Sequence, residues 1–251
     1  MITPQLSKNL RRQVAVVTGA AQGLGYAIAH AYAAEGMRLA LIDVQAERLA
    51  RVAAEINAEG GDALAIPADL SDADATCSAI NRALDVLGVP RVLVHNAAVL
   101  VERSLLETSL SEWQRDVNII LQAAFLLAQA VWIPMTEAGG GSIVLLSSAS
   151  SLRGFAGEIA YCPAKHGQEG LMKTLAIEGR PSNIAVNTVA PGVPIHTPMS
   201  ERSYTEELKE DWLDPALITP AFIFLARQDA SGVTGQRVIA KAGEWQLTLP
   251  T

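Results

Sequence analysis

Short apolar runs recur along this chain at intervals that leave room for one helix each. The runs 14–17, 38–42, 63–66, 91–95, 142–146, 184–189 and 237–240 are rich in Val, Ile, Leu and Ala and do not alternate strictly with polar residues. Strands of that kind are covered on both faces, because an exposed face would call for a polar residue at every second position. Between them, the segments 24–35, 46–59, 72–87, 112–133, 159–178 and 220–227 have helical length. Strand–helix alternation sustained over this span predicts an α/β fold: a doubly wound sheet of seven parallel strands with helices on both faces.

Local signals agree with this reading. Ser71 with Asp74, and Ser109 with Glu112, have the spacing of a capping box at a helix start. Glycines at 36, 60–61, 88 and 139–141 follow the helical segments, where a left-handed stop is expected. With no repeat and no low-complexity linker, residues 1–251 read as one domain, a size that α/β folds reach undivided. The stretch 192–214 has no clear period and is rich in Pro, Ser, Thr and charge, which reads as a functional flap.

Charge narrows the class of partner. Nineteen Lys and Arg against 26 Asp and Glu give a net charge of −7, and no basic run exceeds Arg11-Arg12. Neither a nucleic acid nor an anionic membrane surface is expected as a partner. Cys77 and Cys162 have no metal-ligand spacing and cannot form a disulfide scaffold, so no metal is expected and a cytoplasmic setting is the simpler reading. The N-terminal MITPQLSKNLRRQ has no apolar core of signal-peptide length. The apolar stretch 119–133, interrupted by Gln122 and Gln129, is read as a buried helix too short to span a bilayer.

The first strand runs into Thr18-Gly19-Ala20-Ala21-Gln22-Gly23-Leu24-Gly25, and a helix follows. Glycines there let the backbone turn tightly and approach a pyrophosphate, whose charge is favoured by free N–H groups at the helix N-terminus. A tight structural turn would also use a glycine or two; the strand–loop–helix context favours phosphate binding. Asp43 ends the second strand, where its carboxylate can accept both adenosine ribose hydroxyls and would repel a 2′-phosphate. As a solvated strand end it would mean nothing; beside the glycine loop it favours NAD over NADP.

Tyr161 and Lys165 lie four residues apart on a predicted helix and so share a face. Ser148 ends the fifth strand, and Asn118 sits inside a long helix. With Thr18, Gly19, Gly23, Gly25, Asp69-Leu70, Asn96-Ala97, Asn187, Pro191-Gly192 and Val233-Thr234-Gly235-Gln236, this set resembles the classical short-chain dehydrogenase/reductase family over nearly the whole chain. The resemblance implies a Rossmann-like fold and an NAD(P) site. It places Asp69 and Leu70 beside the adenine, Asn96 and Ala97 beside the adjoining ribose, and Pro191, Gly192 and Thr197 at the nicotinamide end. Gln22 and Leu24 complete the phosphate loop. By the same resemblance Lys165 contacts the nicotinamide ribose, Asn118 holds a water of a proton relay, and the protein is a homotetramer through the helices carrying Asn118 and Tyr161.

The chemistry is consistent with those roles. A phenol titrates near 10, so a tyrosine acting as base near neutrality needs its anion stabilised by about 4 kcal/mol for a shift of roughly three units. The Lys165 ammonium and a positive nicotinamide can supply that in a poorly solvated site. Tyr161 would exchange a proton with the substrate oxygen, and Ser148 would hydrogen-bond the same atom.

Four departures from the family pattern stand out. Ala98 replaces a glycine after His95-Asn96-Ala97, where His95 reads as a structural strand end. Pro163 lies between Tyr161 and Lys165, which a helix tolerates only in its first turn and so places the helix start just before Tyr161. The segment 191–197 is one residue longer than usual, and 240–245 replaces the common Val-Asp-Gly-Gly ending. Substrate contacts are expected from Ser150, Arg153, Phe155 and the flap, including Trp212. Arg153 either holds an anionic group or is simply solvated; Trp212 either caps an apolar pocket or packs the flap. The chain thus reads as an NAD-dependent enzyme that interconverts a small-molecule secondary alcohol and a ketone. A 3-oxoacyl thioester reductase and a non-catalytic NAD-binding regulator are the alternatives.

Overall fold

The computed structural model describes residues 9–247. Met1 to Lys8, part of the segment read above as lacking a signal core, and the last four residues lie outside that range. The elements follow the expected alternation. They begin β1 (Val14–Thr18), α1 (Gly23–Ala34), β2 (Arg38–Asp43), α2 (Ala46–Ala58), β3 (Asp62–Pro67), α3 (Ala73–Leu87) and β4 (Pro90–His95). There follow α4 (Leu110–Val117), a π-helical turn (Asn118–Gln122), α5 (Ala123–Glu137), β5 (Gly141–Leu146), α6 (Tyr161–Glu178) and β6 (Ile184–Pro191). The chain then forms α7 (Ser200–Ser203), α8 (Glu206–Glu210), α9 (Thr219–Ala226), β7 (Arg237–Lys241) and β8 (Glu244–Leu247).

The strands form one sheet in the order β3-β2-β1-β4-β5-β6-β7-β8. Pairing is parallel from β3 to β7. Successive side chains of a strand point to opposite faces, so each inner strand feeds two cores. Ala15 and Val17 of β1 pack with α1, α2 and α9, through Ile28, Leu49 and Phe222 among others. Val14 and Val16 of the same strand pack with α3, α5 and α6, through Ile80, Leu127 and Met172. The order reverses between β1 and β4, and the loops leaving their C-terminal ends diverge there to open a crevice.

The eighth strand is a difference from the sequence expectation of seven. Lys241 pairs with Glu244 across a two-residue turn in which Gly243 takes φ +82°, and β8 returns antiparallel to β7. Trp245 then stacks on Phe224 with centroids 5.0 Å apart. Four edge residues, two of them polar or charged, carry no signal of a covered strand.

Two further expectations change in detail. The α3 cap is Asp72, whose carboxylate accepts from the Ala75 N–H at 2.8 Å; the Ser71–Asp74 box does not form, because the chain enters the helix one residue later. The Ser109–Glu112 box does form, each side chain accepting the other's backbone N–H. The apolar helix is also longer than expected. With α4 and the π-turn it runs from Leu110 to Glu137, long and apolar enough by length and composition to cross a membrane. Its inner residues Ala124, Leu127, Val131 and Met135 are buried in the core against the sheet, as a core helix requires.

Candidate active site

The glycine loop lies at the mouth of the crevice. Gly19 and Gly23 take φ of +65° and +58°, a region that side chains with a Cβ rarely adopt. Asn96 ties the loop to β4: its amide donates to the carbonyls of Thr18 and Gly19, each at 3.1 Å. The Thr18 hydroxyl accepts the N–H groups of Asn96 and Ala97 at the same distance. At the start of α1, Gln22 makes no side-chain capping bond, so the first N–H groups of the helix are left for a ligand.

Asp43 is buried at the end of β2. Its Oδ2 accepts the Ala21 N–H at 3.0 Å, and Oδ1 accepts that of Gln45 at 2.9 Å. Each oxygen retains a lone pair for a sugar hydroxyl. Arg48 of α2 donates to the Gln22 side chain, which brings a cation to this end of the crevice. The sequence reading, confined to residues 43–45 and the glycine loop, did not anticipate it.

A pocket of about 450 Å³ joins these groups to the candidate chemistry. Of the residues singled out from sequence, Gly19, Gln22, Gly23, Leu24, Asp43, Asp69, Leu70, Asn96, Ala97, Ser148, Tyr161, Pro191 and Thr197 line it. Ser148 follows β5 and accepts the Ser150 N–H at 3.2 Å. Tyr161 opens α6, with Pro163 inside the first turn, as the proline requires. Ser148 and Tyr161 share the pocket wall, close enough for the serine to influence the phenol. Burial pushes the Tyr161 phenol up, the neighbouring Ser148 hydroxyl pulls it back, and the Glu158 carboxylate adds to the rise. The protein groups alone therefore leave this phenol less acidic than a free one.

Lys165 lies beneath the pocket wall, buried, with Nζ 5.6 Å from the centre of the Tyr161 ring. It donates to the Leu146 carbonyl and, at 3.0 Å, to Gln168 Oε1. Burial lowers its ammonium to about 7, partly offset by Glu169. Glu169 holds the segment around Ser148 from behind. It accepts from the hydroxyls of Ser147 and Thr188 and lies 3.6 Å from Arg237 Nε, while Arg237 donates to the Ser148 carbonyl at 2.8 Å.

Several singled-out residues lie away from the pocket wall. A Cβ on Gly25 would meet the Gly19 carbonyl at 2.0 Å, so this glycine lets α1 pack on its own loop. Gly192 gives room to the β7 side chains of Ile239 and Lys241. Asn118 opens the π-turn and donates to the Ser71 carbonyl at 3.0 Å. Ser150 is buried behind Ser148. Arg153 stacks over Phe155 at 4.8 Å, both exposed, and Trp212 stacks on His196 at 4.1 Å within the flap. Arg153 and Phe155 thus pair with each other, and Trp212 pairs with His196.

The flap contributes Ile195, Met199 and Tyr204 to the pocket instead. Nothing periodic in the flap could have marked them. Gln168 and Glu169 were also missed, although their spacing of three and four from Lys165 places polar side chains on the buried face of α6.

Residues 13–208 match the short chain dehydrogenase family model. The chain belongs to the classical short-chain dehydrogenase/reductase family and is an oxidoreductase of that family. It is 33% identical to trans-4-hydroxycyclohexanecarboxylate dehydrogenase of Sinomonas cyclohexanicum, covering 96% of this chain and 95% of the relative. It is 36% identical to the 3-oxoacyl-[acyl-carrier-protein] reductase of a Synechocystis strain, over 90% and 94%. Among solved structures, a putative NAD(P)-dependent gluconate 5-dehydrogenase from Beutenbergia cavernae, with bound NADP at low occupancy, superposes with a TM-score of 0.85 at 32% identity. That match covers 94% of this chain and 97% of the other.

Proposed function

We propose that this chain, a single domain over its 251 residues, is an NAD-dependent enzyme that interconverts a secondary alcohol and a ketone. The observation that carries the reading is that Ser148 and Tyr161 stand together on the wall of the same crevice that the glycine loop opens onto. When bound, the nicotinamide would accept or donate the hydride. Gly19, Gln22, Gly23 and Leu24 would hold the pyrophosphate, Asp43 the adenosine ribose, and Asp69, Leu70, Asn96 and Ala97 the surrounding adenosine and ribose groups. Pro191 and Thr197 would flank the nicotinamide.

Within the protein, Ser148 donates a hydrogen bond to the substrate oxygen, and Tyr161 takes or returns its proton. Lys165 would stabilise the phenolate and, with the cofactor bound, would hold the nicotinamide ribose. Ile195, Met199 and Tyr204 shape a partly apolar substrate end. The exposed Phe125 and Ile133 of α5 and Ile177 of α6 support homotetramer formation through these helices. The acidic chain with its two free cysteines suits the cytoplasm.

A second reading, a thioester reductase using NADPH, draws on Arg48 at the adenosine end and on the relationship to the 3-oxoacyl reductase. The Asp43 carboxylate beside it opposes a 2′-phosphate. A panel of secondary alcohols and ketones followed at the NADH absorbance tests the main reading, with a 3-oxoacyl thioester and NADPH as the rival arm. Turnover confined to the rival arm would replace it, and a silent panel with cofactor bound would leave a non-catalytic NAD-binding regulator.

A further inference from the structure

Behind Lys165 a buried hydrogen-bond path runs back to the glycine loop. Gln168, fully buried on α6, donates from Nε2 to the Ile120 carbonyl at 2.8 Å. That bond fixes which end of the amide is which: Oε1 faces Lys165 and accepts from its ammonium at 3.0 Å. The Ile120 carbonyl belongs to the π-turn, and His95 Nε2 reaches the carbonyls of both Ile119 and Ile120 at 3.1 Å. Carbonyls only accept, so Nε2 carries the His95 proton, and Nδ1 accepts from the Thr18 hydroxyl at 3.0 Å. Every member of the path from Thr18 to Lys165 thus has a defined direction.

We propose that Gln168 is a positioning residue for Lys165: its amide, latched to the π-turn, holds the ammonium beside Tyr161 and keeps it charged. The Leu146 carbonyl and Gln168 Oε1 take two of the three ammonium donors, and one remains for the phenol or a ligand. Without Gln168 the ammonium would lose one of these two acceptors in a site that burial already makes hostile to charge, as the fall of Lys165 to about 7 reflects. The other groups facing Lys165 are Tyr161 and Glu169 on α6, and His95 from β4. Glu169 favours the charge, but it is shared with Arg237 from β7. His95 stays neutral, because burial and Lys165 itself bring its ring down to about 4, and so adds no charge of its own at neutrality.

The inference rests on the proposed role of Lys165 toward Tyr161, but its test does not require turnover. The chain has five lysines, so lysine labelled with ¹³C at the ε carbon gives few NMR signals, and Lys165→Met identifies the one of interest. A hydrogen bond to a charged group is worth enough that Gln168→Met should lower the Lys165 midpoint by about one to two pH units. Gln168→Glu, which keeps an oxygen at Nζ and adds charge, should raise it above wild type. A midpoint in the Met variant within about 0.3 units of wild type would overturn the proposal. Should the Met variant not fold by circular dichroism, a midpoint in the Glu variant that fails to rise overturns it equally. With an alcohol substrate, the acid limb of the oxidation rate should move to higher pH in Gln168→Met. If wild type oxidises no alcohol, the functional reading falls while the lysine titration still decides the role of Gln168.

Discussion

The Asp43 carboxylate accepts the backbone N–H of Ala21 at 3.0 Å, so the acid at the end of β2 and the glycine loop after β1 form one unit. An acid placed in this way both shapes the loop and presents its remaining lone pairs to whatever sugar lies beside it. Loop geometry and cofactor choice are therefore coupled through a single side chain.

Asp43→Asn separates the two roles. The amide oxygen can still accept from Ala21, while the charge that repels a 2′-phosphate is gone. Wild type should bind NAD⁺ at least about tenfold more tightly than NADP⁺, roughly 1.4 kcal/mol, and the variant should narrow that gap mainly by gaining NADP⁺ affinity. Calorimetry with both nucleotides measures it. Equal affinities in wild type would transfer the decision to Arg48.

Tyr161→Phe removes the proton-transfer group and keeps the ring. Turnover should fall by about 10² to 10⁴, the usual contribution of general acid–base chemistry, with little change in NADH affinity measured by fluorescence. A variant that retained most of its rate would show that the proton passes through another group.

His95 gives the fold a pH dependence whose sign is fixed. Burial holds its ring at about 4, below the ordinary 6.5, so between those values the unfolded chain binds a proton that the folded chain refuses. Stability should therefore fall as pH drops from about 6.5 towards 4, by up to about 3 kcal/mol from this residue. Urea unfolding of wild type and His95→Asn at several pH values across that window should show a steeper acid loss in wild type. Parallel curves would mean that His95 protonates freely in the native state.

Glu169→Ala tests the support behind Ser148. It removes the acceptor of three buried hydroxyls, those of Ser147, Ser151 and Thr188, and the carboxylate beside Arg237. Breaking a buried pair of this kind costs about 3–5 kcal/mol, read by urea denaturation. Turnover should drop further than cofactor binding, because the Ser148 segment loses its backing. A stability change under about 1 kcal/mol would show that the hydroxyls and Arg237 find other partners.

The sheet was legible because parallel strands covered on both faces are written as apolar runs, and 14–17 or 142–146 could hardly be anything else. The glycine loop was legible because its backbone needs residues without a Cβ, as Gly19 and Gly23 show with their positive φ. Tyr161 and Lys165 share a helix, so their spacing alone placed them together. The flap residues Met199 and Tyr204 left no such trace, since a segment without a period does not say which side chains turn inward. Edge strand β8 was equally silent: its pairing rests on the turn at Gly243 and on Trp245 finding Phe224.

What the residues alone determined was the α/β layering, the loop built for a phosphate and the pair on α6, because each depends on neighbours within a few positions. Tertiary structure decided the rest. Only folding brings Gln168 to the carbonyl of Ile120 or Arg237 to that of Ser148, because hydrogen bonds between residues dozens of positions apart exist only once the backbone has set their distance. The acidity of a buried lysine or phenol is decided at that same stage, by what surrounds it and not by what precedes it in the chain.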